Sequence, residues 1–340
     1  MSESMTKGKS IAVARSPLRI SLAGGGSDVV SYASRFGSDV VGLAINKYVT
    51  VTIHPNQFEG SIKAYWEKAE HAENLEALEN SFGKFALMRS GHFGNTQVMV
   101  QADAPSGTGL GGSGAFLVSM IHAGRIANNQ SVDKGELAEA ASSVEIDDLK
   151  RMVGKQDHYM ASLGGLQHLS FNTNLEADTS SLNMGKNCID YFNNRLLLFY
   201  TGQRRNAGEI LKDQASSVKV NNSSTIERIH KIRELVPDML HAIRCDNPCD
   251  IGPILLAHWR EKVGLGKKVG NSFIANCEEL AMKNGADGFK LLGAGGGGFI
   301  LISSKPGYQE QLRRVFSEAG LSELPFQYGN SGTMATSLPL

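Results

Sequence analysis

One glycine-rich segment carries the residue types of a ligand site. Residues 104–116, APSGTGLGGSGAF, hold five glycines and three hydroxyl residues between a stretch that reads as a strand and one that reads as a helix. Glycines let the backbone approach a ligand closely, and N–H groups at a helix N-terminus converge on anionic oxygens. The segment therefore predicts a phosphate cradle. It lacks the lysine of a Walker A loop, so its positive charge and its magnesium ligands must come from elsewhere.

Two other motifs overlap the same segment. Gly107, Gly109 and Gly112 satisfy the dinucleotide pattern G-x-G-x-x-G. That fold needs a parallel strand with an acidic residue after the helix, whereas a second helix is predicted here. The run around Ser113 approximates the nucleophile elbow of hydrolases, but an elbow lies directly at the end of a strand, and a loop intervenes. A glycine-rich connector that binds nothing is the third alternative.

Strands and helices alternate around this segment in the first half of the chain. Apolar and β-branched runs predict the strands, and composition or a capping pattern predicts the helices. The strands are expected at residues 11–23, 40–55 and 96–103. The helices are expected at residues 66–90, 113–126 and 133–152, the last of which begins with a capping box of Asp133 and Glu136.

The second half continues the mixture of strands and helices. Strands are expected at residues 164–171, 194–202 and 288–304, and helices at 206–218, 223–244, 250–262, 270–284 and 307–319. Such a mixture in both halves indicates an α+β enzyme of two domains. The polar, irregular stretch 175–190 is the expected boundary. It divides the chain into residues 1–180, which would bind ATP, and residues 181–340.

Composition excludes several classes of partner. Lysine plus arginine and aspartate plus glutamate number 34 each, so no basic field exists to attract nucleic acid or an anionic membrane. A small polar ligand is therefore the expected partner. The sequence shows no apolar run of membrane-spanning length and no apolar centre of a signal peptide, so a cytoplasmic location is expected. The four cysteines show no zinc-ligand spacing and are expected to be reduced.

Three ordered motifs resemble those of the GHMP kinases. They are SPLRISLAGGGSD at residues 16–28, PSGTGLGGSGA at 105–115 and LLGAGGGGFIL at 291–301. The resemblance implies an ATP-dependent kinase with the α+β two-domain GHMP kinase fold. In that fold a ribosomal protein S5 domain 2-like N-terminal domain precedes a ferredoxin-like C-terminal domain. The second motif departs from its commonest form, because Gly112 stands where a serine is usual.

The resemblance also assigns roles to residues. Asp157 and Arg19 would be catalytic, with Asp157 near the acceptor hydroxyl and Arg19 neutralising the transferred charge. Ser113 and Glu145 would hold Mg²⁺. The predicted ATP-binding residues are Pro105, Ser106, Gly107, Thr108, Gly109, Leu110, Gly111, Gly112, Ser113 and Gly114. The predicted substrate-binding residues are Asp28, Gly25, Gly26, Ser27, Arg205, Gly295 and Gly296.

Other polar residues of the same region have plainer interpretations. Glu139 and Asp148 fit a solvated helix face better than Glu145 does, because Glu145 lies near the C-terminal half of its predicted helix. His158, which is adjacent to Asp157, is expected to pack against its neighbours or to support them. Glu145 is therefore the preferred magnesium ligand among the three acidic residues.

The first motif and the segment GKQDHYMASLGGL, residues 154–166, are similar to the GHMP kinases that act on sugars. The implied acceptor is the C1 hydroxyl of D-glycero-D-manno-heptose 7-phosphate or of a related higher-carbon sugar. Galactose-, fucose- and mevalonate-type acceptors, and a catalytically silent nucleotide and sugar sensor, are the alternatives. A sugar phosphate needs a second cationic site, for which Arg205 is preferred over Arg204, Arg260 and Lys262. The kinase is expected to act as a monomer or a homodimer.

Overall fold

The computed structural model describes residues 10–55, 60–91, 95–203, 207–266 and 268–339. Within these residues the chain forms two β-sheets, one of eight strands and one of four. The larger sheet contains β1 (Ser10–Ala23), β2 (Ser38–Pro55), β3 (Ile62–Tyr65), β4 (Ala69–Ala72), β5 (Thr96–Ala102), β6 (Leu166–Phe171), β7 (Ala177–Ser181) and β12 (Met334–Pro339). The smaller sheet contains β8 (Leu196–Tyr200), β9 (Ala286–Leu291), β10 (Phe299–Ser304) and β11 (Ser322–Glu323).

Helices cover the two sheets and connect their strands. In the first half they are α1 (Val30–Phe36), α2 (Ser81–Arg89), α3 (Gly112–Ala127), α4 (Lys134–Ser143) and α5 (Gln156–Leu163), with a π-helical turn at Val144–Asp148. In the second half they are α6 (Lys186–Asn194), α7 (Ala207–Lys219), α8 (Ser223–Arg244), α9 (Ile251–Val263), α10 (Ser272–Lys283) and α11 (Gln309–Glu318). The α+β class predicted from the sequence is confirmed.

The core of the larger sheet lies beneath α3. The strands β12, β1, β2, β5, β3 and β4 lie side by side in that order, and β6 pairs with β2 and β7. The helix α3 is apolar along most of its length, and it packs on β1 and β2. In the smaller sheet α9 packs on β9, where the buried Trp259 lies against the ring of Phe289. Trp259 is therefore part of the core.

The helix predicted for residues 66–90 is wrong over most of its length. Only Ser81–Arg89 is helical, and Ala69–Ala72 is a strand that pairs antiparallel with β3. The side chain of Glu70 accepts hydrogen bonds from the indole N–H of Trp66 at 2.9 Å and from the backbone N–H of Glu79 at 3.0 Å. The Glu70 carboxylate thus binds N–H groups of the loop that precedes α2. Acidic residues here stabilise a loop, although their frequency is typical of a helix.

Two further expectations differ from the structure. The strand predicted for residues 288–304 is two antiparallel strands, β9 and β10, joined by a turn in which four glycines from Gly295 to Gly298 have positive φ. Residues with a side chain rarely adopt positive φ, so the glycines allow the chain to reverse direction between β9 and β10. The helix predicted to end near Met152 is regular only to Ser143, and the π-helical turn follows.

The end of the chain returns to the first sheet. The strand β12 pairs antiparallel with β1, from Ser10 opposite Pro339 to Arg15 opposite Met334. The predicted division between residues 1–180 and 181–340 thus separates two strands of one sheet, and the division stays a prediction. Among the helices that the structure describes, none combines the length and the apolar character needed to cross a bilayer.

A buried polar network connects the residue before β12, Thr333, to β1 and α3. The Thr333 hydroxyl lies 3.0 Å from the Ser16 hydroxyl and 2.9 Å from His122 Nδ1. Burial lowers the pKa of His122 to about 4, so the imidazole is neutral at pH 7. We expect Thr333→Val to lower the free energy of unfolding by about 1–3 kcal/mol, because two buried groups each lose a hydrogen bond. Urea denaturation measures this.

Thr336 offers a matched control, because it lies on β12 and is exposed. The same change, Thr336→Val, should alter the free energy of unfolding by no more than about 0.5 kcal/mol. Equal stabilities of the two variants would contradict the proposed role of the Thr333 hydroxyl.

Candidate active site

The predicted cradle meets the third glycine motif through backbone contacts. A Cβ on Gly109 would lie 2.6 Å from the Leu292 carbonyl oxygen, and one on Gly293 would lie 2.5 Å from the Gly109 Cα. Both glycines have positive φ, and the Phe299 N–H donates to the Thr108 carbonyl at 3.0 Å. The two motifs are therefore in contact where no side chain fits, and the helix α3 begins at Gly112, within the second motif.

A single cavity of about 1060 Å³ brings most of the predicted site residues together. Its lining includes residues of all three motifs as well as Glu145 and Asp157. The predicted residues on the lining are Arg19, Gly25, Gly26, Asp28, Pro105, Ser106, Gly107, Thr108, Gly109, Gly111, Gly112, Ser113, Glu145, Asp157 and Gly295.

Four predicted site residues do not line the cavity, and they pack against or hydrogen-bond to other residues of the chain. The Leu110 side chain is buried, and its carbonyl accepts from the Arg19 N–H at 3.0 Å. The Ser27 hydroxyl donates to the Gly24 carbonyl at 2.7 Å. Gly114 packs against the backbone of Asp157, and the Gly296 N–H donates to the Val269 carbonyl. Arg205 and Arg204 lie outside the described residues.

An ion pair joins the first motif to α5. Arg19 Nε and Nη2 lie 2.8 and 2.6 Å from Asp157 Oδ1, and Arg19 Nη1 donates to the Gly109 carbonyl at 2.6 Å. The Arg19 side chain is almost fully buried, whereas 28% of the Asp157 side chain is exposed to the cavity side. One guanidinium therefore fixes the carboxylate of α5 against the glycine cradle.

A second carboxylate, that of Glu145, lies beside the first turn of α3. Ser113 Oγ donates to Glu145 Oε2 at 3.3 Å, and His158 Nε2 lies 2.9 Å from the same oxygen. Arg151 pairs with Oε1. Burial raises the pKa of Glu145, but His158, Arg151 and Ser113 together outweigh burial and lower it. The carboxylate is therefore ionised.

The two competing acidic residues lie elsewhere. Glu139 pairs with Lys155 and accepts from the Tyr159 hydroxyl, and Asp148 pairs with Arg89. Neither lines the cavity, as the sequence led us to expect. A π-helical turn changes the residues per turn, and here it coincides with the burial of Glu145.

Asp28 lines the cavity beside the first motif. It accepts from the backbone N–H groups of Gly26 at 3.1 Å and Gln156 at 3.2 Å. Burial and then the nearby charge of Asp157 raise the pKa of Asp28. Gly154 packs directly on the Asp28 carboxylate, so a side chain there would displace it. The arrangement leaves a carboxyl group facing the cavity.

Sequence reasoning missed several basic residues of this cavity, two of which are buried in its wall. His258 on α9 and Lys290 on β9 line it, as does Lys262, which was a lesser candidate for a phosphate site. The signal for Lys290 was its position inside an otherwise apolar strand, GFKLL, where a charged side chain is unusual. Arg260, another candidate, is exposed and does not line the cavity.

The chain is similar to known kinases in sequence. Residues 72–165 match the family described as GHMP kinases N terminal domain. Over 309 residues the chain is 28% identical to the D-glycero-alpha-D-manno-heptose 7-phosphate kinase of Campylobacter jejuni. The alignment covers 86% of this chain and 89% of that protein. It is 25% identical over 340 residues to the L-fucokinase/L-fucose-1-P guanylyltransferase of Bacteroides fragilis, covering 89% of this chain and 36% of the relative.

The fold is similar to a solved kinase as well. The crystal structure of a D-glycero-D-manno-heptose 1-phosphate kinase from Bacteroides thetaiotaomicron superposes with a TM-score of 0.80 and 25% identity, covering 97% of this chain and 100% of that chain. Sequence and fold agree over most of the chain, and the matched segment contains the cradle, Glu145 and Asp157. The chain therefore contains a GHMP kinases N terminal domain, and the comparisons support an ATP-dependent sugar kinase.

Proposed function

We propose that this kinase transfers the γ-phosphoryl group of ATP to the C1 hydroxyl of D-glycero-D-manno-heptose 7-phosphate or of a related higher-carbon sugar phosphate. One observation carries the proposal: the Arg19–Asp157 ion pair lies in the same cavity as the glycine cradle and the Ser113–Glu145 pair. The likeness to kinases of heptose phosphates supports the choice of acceptor.

Arg19 and Asp157 have complementary roles in this proposal. The hydroxyl of a sugar is a weak acid at neutral pH, so its proton needs a carboxylate nearby as the bond to phosphorus forms. Asp157 presents such a carboxylate to the cavity. Arg19 holds it in place and puts a positive charge where negative charge develops during the transfer. Phosphoryl transfer depends chiefly on positioning and charge stabilisation, which these two side chains supply.

Ser113 and Glu145 fit a magnesium ion. Magnesium takes one or two protein oxygens and keeps several waters, and the Ser113 hydroxyl and the ionised Glu145 carboxylate provide that number. No cluster of three or more acidic, His or Cys ligands occurs in the described parts of the chain, and none is needed. Bound Mg²⁺ would neutralise charge on the ATP phosphates. Backbone N–H groups of the cradle would bind the same phosphates.

The acceptor would bind beside the first motif. Asp28 can accept hydrogen bonds from sugar hydroxyls, and a Cβ on Gly26 would meet no atom within 4 Å, so the turn leaves space. An L-fucose-type acceptor is the second candidate, because the bifunctional L-fucokinase of Bacteroides fragilis matches 89% of this chain. The two acceptors differ in charge, since only the heptose derivative carries a phosphate.

A panel of acceptors tests the proposed reaction. With ATP and Mg²⁺, we expect ADP release and a sugar 1-phosphate product with D-glycero-D-manno-heptose 7-phosphate. Galactose, L-fucose and mevalonate should give turnover at least about a hundredfold lower, because they do not match the acceptor's length and charge. Coupled ADP detection and ³¹P NMR of the product are the measurements. Turnover confined to L-fucose would establish the second candidate instead.

The role of Asp157 predicts a selective loss of catalysis. Asp157→Asn should lower kcat by a factor of about 10²–10⁴, because the variant keeps the shape and loses the carboxylate that serves the hydroxyl proton. Binding of a non-hydrolysable ATP analogue, measured by calorimetry, should change by less than about threefold. Asp178→Asn, on the exposed strand β7, is the matched control and should be as active as the unmodified chain. An active Asp157→Asn variant would exclude the assignment.

Glu145 should determine the metal requirement. Glu145→Gln removes one negative charge from the proposed metal site, and it should raise the Mg²⁺ concentration for half-maximal rate by about tenfold or more. Binding of Mn²⁺ with the ATP analogue, followed by electron paramagnetic resonance, should weaken in parallel. Glu136→Gln, on the exposed side of α4, should leave both values unchanged. An unchanged metal affinity in Glu145→Gln would rule out this ligand.

A further inference from the structure

Three basic side chains are buried together in the wall of the cavity. His258 and Lys290 are each 1% exposed, and Lys262 is 7% exposed. His258 and Lys262 are four residues apart on α9 and so share one helix face. Lys290 comes from β9, on which α9 packs. We call these three residues the basic cluster.

The two ammonium groups of the basic cluster have carbonyl partners and cationic neighbours. Lys290 Nζ donates to the Ser21 carbonyl at 2.7 Å and to the Leu22 carbonyl at 3.2 Å. Lys262 Nζ donates to the Leu291 carbonyl at 3.2 Å and to the Gly293 carbonyl. An ammonium group has three N–H donors, so each lysine keeps one for a ligand.

The charges around these lysines are repulsive. Burial lowers the pKa of Lys262 to about 7, with a further contribution from Arg19. Burial also lowers the pKa of Lys290, and Lys262 and Arg19 add to the effect. Buried cations without an opposite charge destabilise a fold, whereas an anion among them would be strongly attracted.

His258 provides an independent observation. Its ring nitrogens make no hydrogen bond of regular geometry in the described structure, although the ring lines the cavity and interacts with the backbone of Gly25. Buried polar groups in proteins are nearly always paired. A buried imidazole beside two lysines, whose ring N–H lacks a hydrogen bond of regular geometry, is a candidate donor to an anion.

The position of the basic cluster favours the acceptor over the nucleotide. Ser21, which binds Lys290, is two residues beyond Arg19 on β1, a distance of roughly 7 Å along a strand. His258 faces Gly25, in the turn that leads to Asp28. The anion would thus lie several bonds away from the hydroxyl that reacts at Asp157.

The cavity accordingly has an acidic and a basic wall. Asp157 lies close enough to Asp28 for its charge to raise the pKa of Asp28, and both carboxyl groups would repel a phosphate. The basic cluster would attract it. A ligand with hydroxyl groups at one end and a phosphate at the other matches this distribution of charge.

We propose that His258, Lys262 and Lys290 form a subsite that binds the phosphate group of a phosphorylated sugar acceptor. The inference rests on the proposed function, and it assigns residues to the phosphate group of that acceptor. It assigns the second cationic site to residues on α9 and β9 instead of to the predicted Arg205.

Lys262→Met tests the subsite, because methionine keeps the length of the side chain and loses the charge. Calorimetry without ATP should give a Kd for D-glycero-D-manno-heptose 7-phosphate that rises by about tenfold or more, as expected for a lost hydrogen bond to a charged group. The Kd of the unphosphorylated heptose should stay within about twofold. Arg260→Met, the same kind of change at an exposed position of α9, should match the unmodified chain for both ligands.

His258→Gln is a second variant in case Lys262→Met does not fold, which thermal melting would reveal. It should also weaken binding of the phosphorylated heptose selectively. If both variants bind the two heptose forms as the unmodified chain does, the subsite is overturned. The subsite is also overturned if either variant instead binds the non-hydrolysable ATP analogue more weakly, because the basic cluster would then bind the nucleotide.

A probe that does not depend on the sugar separates this inference from the proposed function. If the unmodified chain binds neither form of the heptose, the proposed acceptor is wrong. The subsite is then tested with inorganic phosphate in the presence of EDTA, by ³¹P line broadening. Broadening that is lost in Lys262→Met and kept in Arg260→Met would support the subsite. Equal broadening in all three proteins would overturn it.

Discussion

The backbone contact between two glycine turns is the constraint on which the site depends. Gly109 packs on Leu292 and Gly293 with no room for a side chain, and its carbonyl accepts from Arg19. Arg19 in turn holds Asp157. A methyl group at Gly109 would separate the two motifs and displace the carbonyl that orients the guanidinium. The geometry of the ion pair therefore follows from a contact that only glycines permit.

The balance between burial and neighbouring charges has opposite effects on the charge of the side chains at two places in the cavity. Glu145 is buried, yet its cationic neighbours outweigh the cost of burial and keep it charged. Lys262 and Lys290 are buried as well, but their charged neighbours are cations, so burial and repulsion act in the same direction. The charge of Glu145 is balanced within the protein, whereas in the proposed subsite a bound anion would balance the charge of the two lysines. This difference separates the proposed metal ligand, Glu145, from the proposed phosphate subsite.

Much of the site was predictable because its motifs are local in sequence. The glycine cradle and the N-terminus of α3 follow from a short run of residues, and the resemblance to a family supplied Arg19, Glu145 and Asp157. The fold class followed from periodicity. The hairpin within residues 288–304 did not, because apolar residues on both sides of a glycine run resemble one strand.

The basic cluster could not be predicted as a unit. Lys262 was a lesser candidate and Lys290 interrupts an apolar strand, but nothing local in the sequence brings them together with His258. His258 and Lys290 are 32 residues apart. They reach the first motif only because α9 packs on β1 and the Lys290 side chain extends from β9 to the Ser21 carbonyl. The return of β12 to β1 is equally nonlocal. Arg205 was chosen from its motif alone, and it lies outside the described residues.

The most direct test of this account is a crystal structure with Mg²⁺ and a non-hydrolysable ATP analogue. We expect phosphate oxygens within about 2.7–3.2 Å of N–H groups in the glycine cradle, and the metal bound by Ser113 and Glu145. The terminal phosphate should face Asp157. A nucleotide bound outside this cavity, or a metal without either ligand, would contradict the central claim.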